Sequence, residues 1–306
     1  FRNAVGSMIA ARIAGDDSVY IPGDFGTYVT ADTPASYFTD VLSAQPLPES
    51  DICTDVPILL WHNLAEEASG DVTISVDTFR AQIEALHDAG FETVSLQQLY
   101  DYVHYGTELP ENPILLTFDD GYLSNYEYAY PILREYGMQA TIFAIGVSIG
   151  KDTYKGTDHA MTPHFGAAEA REMVASGLIS VQSHTYDMHQ WPPFEDGSTQ
   201  VRETMLPFVG ESDADYEAAV ETDFAESRAA IEAITGQTVN ALAFPEGAYV
   251  TLTQDALRNA GVEITLSTVR GTATVVKGLP QSLSAMKRIS VTESTDTEAL
   301  IAELQG

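Results

Sequence analysis

Two short stretches of this chain carry residue types that can act together. Thr117-Phe118-Asp119-Asp120-Gly121-Tyr122 closes an apolar run, and Ser183-His184-Thr185-Tyr186-Asp187-Met188-His189 follows further along. Paired carboxylates and paired imidazoles supply what a hydrolytic metal site needs: three protein ligands, an open position for water and a spare base. An ion held by two histidines and an aspartate brings the pKa of water down towards about 7 and polarises a carbonyl oxygen. The remaining carboxylate can then take the proton from that water. Residue types alone leave open which aspartate has which task.

The spacing says what backbone must carry them. Neighbours in a regular strand point to opposite faces, so Asp119 and Asp120 would not share a pocket on a straight strand. Gly121 permits a sharp turn directly after them, which can bring both carboxylates to one place. His184 and His189 are five apart, which on a helix leaves them about 140° out of line at 3.6 residues per turn. A loop leaving the strand at 179–183 is the better host. Taken singly, an Asp-Asp-Gly turn or two nearby histidines would mean little. Their joint presence at two strand ends is what points to a site.

The elements that must position them follow from periodicity. From Pro57 onward, short apolar runs read as strands over 58–61, 93–96, 114–118, 140–144, 179–183, 241–244 and 264–267. Amphipathic stretches between them read as helices over 76–89, 126–136, 167–175, 215–234, 252–260 and 295–304. About seven β–α units with near-continuous apolar strands predict a parallel sheet covered by helices, open or closed into a barrel. Each candidate residue follows a strand at its C-terminal end, the edge where α/β barrels build their sites.

Composition narrows the class. The 306 residues suffice for one large α/β barrel or two ordinary domains, and 44% hydrophobic content supports a substantial core. The formal charge of −31, from 14 basic and 45 acidic residues, excludes nucleic acid and anionic lipid as natural partners. It fits the solvated acidic surface of an exported or salt-adapted protein. A single cysteine, Cys53, allows neither an intrachain disulfide nor a cysteine zinc site. No apolar run approaches the roughly 18 residues of a membrane span. Residues 16–55, including Tyr20-Ile21-Pro22-Gly23-Asp24, lack sustained periodicity. The expected division is therefore an N-terminal linker or irregular appendage over 1–55 and a catalytic domain over 56–306. Phe1 to Gly15, with Arg2 and Arg12 among small apolar residues, reads as the remnant of a targeting or anchoring segment.

The sequences Thr117-Phe118-Asp119-Asp120-Gly121 and Ser183-His184-Thr185-x-x-x-His189 resemble the first two motifs of polysaccharide deacetylases, the NodB-homology family of carbohydrate esterases. The longer form Ser-His-Thr-Tyr-Asp-x-His is similar to the branch that deacetylates poly-β-1,6-N-acetylglucosamine. The resemblance runs from about Val56 to Val291. It implies an α/β fold, a distorted (β/α)7 barrel. It also implies that Asp119 is the base, and that Asp120, His184 and His189 bind a divalent metal. Zinc is the default for that donor set, with cobalt, nickel or iron able to occupy it.

The third family motif is Arg-x-Pro-aromatic-Gly, which lines the acetate pocket. The match here is Phe244-Pro245-Glu246-Gly247, without the arginine and with Glu246 in place of the aromatic. A backbone N–H donor to the oxyanion does not depend on that side chain, so Glu246 remains the candidate donor, within a segment Pro245-Glu246-Gly247 that is the candidate for substrate and oxyanion contact. Tyr249 is a candidate replacement for the aromatic. The late motif, an apolar strand followed by Leu-x-His, is absent from the C-terminal end. Ile58-Leu59-Leu60-Trp61-His62 carries the same pattern, as in a circularly permuted member. His62 is then the candidate acid for the leaving amine. Arg288, near the final strand, is a candidate to hold a catalytic carboxylate in place of the missing arginine, with a surface salt bridge as the alternative. His164 could approach the same pocket. Tyr122 and Trp191 flank the motifs and could stack on sugar rings.

The expected function is removal of N-acetyl groups from a GlcNAc-type polysaccharide, in an extracellular or cell-surface setting set by the substrate. The alternatives are an O-acetyl esterase acting on a xylan-like polymer and a carbohydrate-binding protein with a decayed site. A glycosidase needs carboxylates facing each other across a bond, at least about 5 Å apart, which adjacent aspartates suit less well. Oligomeric state is not legible.

Overall fold

The structure, a computed structural model, describes residues 53–195 and 200–305. The targeting remnant expected over 1–15, and residues 1–52 of the expected appendage, lie outside the described residues. Strand β1 (Cys53–Val56) leads through Pro57 into β2 (Ile58–Trp61), whose four side chains are all buried. Short strands β3 (Asn63–Ala65) and β4 (Thr73–Ser75) pair with each other. Ser75 then caps α1 (Val76–Asp88) by accepting the Thr78 N–H, and Phe79, Ile83 and Leu86 form its buried stripe.

The strand expected over 93–96 needs correction. Only Glu92–Thr93 form a strand, β5, and Ser95 opens a helix, α2 (Leu96–Tyr105). The Ser95 hydroxyl accepts the Gln98 N–H while the Gln98 side chain accepts the Ser95 N–H. That reciprocal capping box, followed by Leu96, Leu99 and Val103 at helical spacing, outweighs the short β-like run.

The chain continues through β6 (Pro113–Phe118), a π-helical turn over Asn125–Ala129 and α3 (Tyr130–Tyr136). It then passes through β7 (Ala140–Ala144), α4 (Ala167–Ala175), β8 (Ile179–Ser183) and α5 (Asp213–Thr235). Next come β9 (Ala241–Ala243), α6 (Thr251–Asn259), β10 (Ile264–Arg270) and β11 (Ala273–Val276). The chain ends with β12 (Met286–Ser290) and α7 (Thr297–Leu304).

Among the described residues, seven parallel strands close a ring in chain order: β2, β6, β7, β8, β9, β10 and β12, which pairs back onto β2. β5 flanks β6 outside that ring, and β1 pairs antiparallel with β11. The ring is uneven: β8 meets β9 only at Ser183↔Leu242, and β12 meets β2 at Ile289↔Leu59 and Ser290↔Leu60. This is the distorted (β/α)7 barrel, with the His62-bearing strand at the front of the chain yet seated between β12 and β6.

Strand alternation sorts the core into two layers. Ile58, Leu115, Phe143, Ala243 and Met286 belong to one buried cluster, which α2 joins through Leu96, Leu99 and Tyr102. Leu59, Trp61, Leu116, Phe118 and Ile142 belong to the other, with Phe79, Leu133, Met173, Phe224 and Leu257 from the helices. The first set fills the barrel, and the second lies between barrel and helices. On the inward register, Leu115 is followed by Thr117 and Asp119, Ile58 by Leu60 and His62, and Met286 by Arg288. The barrel interior therefore turns polar toward the C-terminal ends of its strands, where the candidate residues stand.

Candidate active site

Asp119 leaves β6 on the inward register and is 2% exposed. Arg288, fully buried on β12, reaches it with two parallel hydrogen bonds, Nη1 to Oδ1 and Nη2 to Oδ2, each 2.7 Å. Its Nε donates to the Ser267 carbonyl at 2.8 Å, which fixes the fork. Burial pushes the Asp119 pKa up, but the adjacent guanidinium overcomes this, aided by His184 and His62, and the result is a pKa of about 2. Arg288, the residue expected to hold a catalytic carboxylate, thus lies on the last barrel strand and pairs with Asp119 rather than with a surface acid.

Asp120 turns the other way because the strand ends at it. Its φ of 72° and the φ of 81° at Gly121 reverse the backbone within two residues. Gly121 is also required by space, since a Cβ there would lie 3.0 Å from Ala144 Cβ and 3.1 Å from its Cα. The turn was expected to begin at Gly121, but it begins at Asp120, in a conformation that an aspartate tolerates better than most residues.

His184 and His189 come to the same point. His184 Nε2 lies 3.5 Å and His189 Nε2 3.9 Å from Asp120 Oδ1, and the candidate ligand atoms of the three residues all lie within 4.8 Å of one another. Each histidine uses its other nitrogen on a backbone carbonyl: His184 Nδ1 on Ala243 O and His189 Nδ1 on Glu203 O, both at 2.8 Å. A carbonyl can only accept, so Nδ1 carries the hydrogen in a neutral ring and Nε2 presents a lone pair. Burial also pushes the His184 pKa down, favouring that neutral ring. Asp120 Oδ1 is itself buried with no hydrogen-bond partner. With both rings neutral, three acceptor atoms face one another. That arrangement fits a divalent cation, which takes N and O donors in this number and leaves a position open.

His62 follows β2 on the inward register. The pairing Trp61↔Phe118 places it beside Asp119. Its backbone is tied to the loop after β6: Asn125 Nδ2 donates to His62 O at 2.8 Å, and Ser124 Oγ to Asn63 Oδ1 at 2.7 Å. Asn125 sits in the π-helical turn, a local irregularity of the kind found at functional sites.

Comparison with known proteins decides the family. The polysaccharide deacetylase family model matches residues 106–265, more than half of the chain. This chain belongs to the polysaccharide deacetylase family. YxkH of Bacillus subtilis (strain 168), which carries a provisional polysaccharide deacetylase name, is 27% identical over 251 residues, covering 82% of this chain and 76% of its own length. The poly-beta-1,6-N-acetyl-D-glucosamine N-deacetylase of Escherichia coli (strain K12) is 31% identical over 156 residues. That match covers 49% of this chain and 23% of the relative, so the matched segment spans less than a quarter of that protein. Among solved structures, IcaB from Ammonifex degensii superposes with a TM-score of 0.66 at 26% identity, over 82% of this chain and 97% of that one.

In this family member the third-motif segment sits just past β9, two residues beyond the Ala243 carbonyl that accepts from His184. Pro245 is buried, Glu246 is exposed and left-handed at φ 55°, and Gly247 follows at φ 71°. A Cβ on Gly247 would collide with Thr268, 2.2 Å from its Oγ1 and 2.6 Å from its N, so only glycine fits. Tyr249 stacks on Phe244 with ring centroids 4.4 Å apart. Tyr122 turns its hydroxyl to Asp120 and packs its ring 4.9 Å from that of His164, so both lie beside the Asp120 carboxylate. Trp191, two residues past His189, is 57% exposed.

The candidate site is also shaped by residues that carry no sequence motif. Ala243 and Glu203 contribute carbonyls and therefore have no side-chain signature. Asp223 and Ser227 on α5 hydrogen-bond the histidine loop and its preceding strand end; the signal available for them was two polar residues one turn apart on the buried face otherwise formed by Tyr216, Val220, Phe224 and Ile231.

Proposed function

We propose that this deacetylase is a metal-dependent hydrolase that removes N-acetyl groups from GlcNAc-type polysaccharide. The observation that carries the reading is the convergence of Asp120 Oδ1 with two imidazole Nε2 atoms, beside a second carboxylate held apart by its own arginine. The names of relatives that act on poly-β-1,6-N-acetylglucosamine support the substrate class. In this reading Asp120, His184 and His189 hold the ion, with zinc the default and cobalt, nickel or iron alternatives. Such an ion, when bound, acidifies water and polarises the acetyl carbonyl.

The chain's own groups do the rest. Arg288 keeps Asp119 ionised and aimed at the site, ready to accept a proton from water. A carboxylate this acidic holds a proton only briefly, so the transfer is productive when the proton moves on. His62, beside it, is the group placed to deliver a proton to the departing amine. Pro245 has no N–H and that of Gly247 donates to the Phe244 carbonyl at 2.8 Å, so the Glu246 N–H, in the left-handed turn, is the candidate donor to the developing oxyanion. Polymers of this class lie outside the cytoplasm, so an extracellular or cell-surface setting goes with the substrate. No described helix is long and apolar enough to cross a membrane.

The test is metal content together with acetate release from acetylated chito-oligomers, poly-β-1,6-N-acetylglucosamine and acetylxylan, for the wild type and Asp119→Asn. The expected result is a bound divalent ion in both proteins and release from the N-acetylated substrates, reduced about 10²–10⁴-fold in Asp119→Asn. Metal without release from any substrate would favour a binding protein. Release from acetylxylan alone would favour an O-acetyl esterase, and undiminished release in Asp119→Asn would remove that residue as the base.

A further inference from the structure

The two candidate histidine ligands sit at the ends of a loop whose turn their own side chains do not dictate. Its shape is imposed by α5. Asp223 is 7% exposed, and each of its oxygens accepts one loop N–H: Oδ2 from Tyr186 at 2.8 Å and Oδ1 from Asp187 at 2.7 Å. One helical turn later on the same face, the buried Ser227 hydroxyl shares a 2.8 Å hydrogen bond with Ser183 Oγ, which accepts the Thr185 N–H at 3.1 Å. Thr185 lies between the histidines at φ 70°, an unfavourable conformation for a β-branched residue that persists only where its surroundings enforce it. The opposite side of the loop is fixed as well, since Thr185 O and Tyr186 O accept the N–H groups of Gly146 and Val147, each at 3.0 Å.

Asp223 is an expensive way to hold a loop. Burial raises its pKa, the two N–H donors only partly offset this, and Asp187 and Glu226 raise it further, to about 6. An ionised carboxylate that the fold disfavours, spent on two backbone groups of one loop, has the character of a residue kept for what that loop carries.

We infer that Asp223 is a positioning residue for the metal site, its carboxylate setting the turn that brings His189 Nε2 to His184 and Asp120. This rests on the metal reading of those three residues. It assigns Asp223 no contact with ion or substrate.

The test is the zinc dissociation constant, by competition against a chromophoric chelator, for wild type, Asp223→Asn, Asp223→Ala and His184→Ala. The melting temperature of each metal-free protein is measured alongside. Asn preserves the shape but sets an amide donor against one of the two N–H groups, while Ala removes both acceptors. Zinc binding is expected to weaken about 10- to 100-fold in both Asp223 variants. At neutral pH, metal-free Asp223→Asn should melt no lower than the wild type. If Asp223→Ala does not fold, Asp223→Asn decides the matter. Wild-type affinity in the folded Asn variant overturns the inference and leaves the metal reading standing. A wild type that binds zinc no better than His184→Ala overturns the metal reading, and the inference with it.

Discussion

Arg288 and Asp119, 169 positions apart in the chain, face each other inside the barrel through two parallel 2.7 Å hydrogen bonds. Fork geometry of this kind combines charge with direction. Removing the arginine alone leaves a buried carboxylate without its partner. Arg288→Met is therefore expected to destabilise the protein by about 3–5 kcal/mol, read by urea unfolding. It should also move the acidic limb of acetate release to higher pH, because nothing then holds Asp119 ionised. Arg288→Lys keeps the charge but loses the second parallel bond, so it should fall between the two. Unchanged stability and pH profile in Arg288→Met would remove the pair from both roles.

Two buried carboxylates should give opposite pH signatures in the metal-free protein. Asp119 is lowered from 3.8 to about 2, so its contribution is present above pH 3.8 and is lost as pH falls through about 2. That contribution amounts to about 2.5 kcal/mol. Asp223 is raised from 3.8 to about 6, so the fold gains stability as pH falls from 6 towards 3.8, by about 3 kcal/mol. Urea unfolding across this range should show the gain below pH 6 disappearing in Asp223→Asn, and the loss below pH 4 diminishing in Asp119→Asn. Identical profiles for the variants and the wild type would contradict both assignments.

His62 is expected to matter most where the leaving group most needs a proton. An amine departs poorly unless protonated, whereas an alcohol from an ester departs more readily. His62→Ala should therefore cost about 10²–10⁴-fold in kcat on N-acetylated oligomers and distinctly less on an O-acetyl ester. Equal losses on both substrates would point to a positional role for this side chain instead.

Metal removal should be visible without any substrate. A ligand that binds only the native state stabilises it by about 2.7 kcal/mol at a concentration 100 times its Kd. Dialysis against a chelator should thus lower the melting temperature and abolish acetate release, and zinc should restore both. Asp120→Asn should show no zinc-dependent shift. A shift of wild-type size in that variant would place the ion elsewhere.

The alternation of buried strands and amphipathic helices was legible because it is written in local periodicity, and most elements from β2 to α7 follow it. One exception, α2, was hidden by a four-residue run with strand-like composition, and the capping box of Ser95 and Gln98 decided it. Another is β12, the ring strand that carries Arg288, whose Met286-Lys287-Arg288 start interrupts any apolar run; the short strands β1, β3, β4 and β11 were not legible either. The acidic and histidine motifs were equally legible, because each is short and contiguous and both stand at strand ends. Glycine at 121 and 247 is explained by contacts with Ala144 and Thr268 that only the closed ring creates.

What the sequence determined by itself was the identity of the chemical groups: two aspartates, two histidines at a loop spacing, and a third histidine after an apolar strand. What the tertiary structure decided was how they divide. Asp119 takes the inward register and meets Arg288, while Asp120 turns out of the strand and meets the two imidazoles. The Ala243 and Glu203 carbonyls set which nitrogen each ring presents, and Asp223 holds the loop between the rings. The reason is physical: a side chain's type is local, but its protonation, direction and partner depend on groups brought from distant strands when the barrel closes.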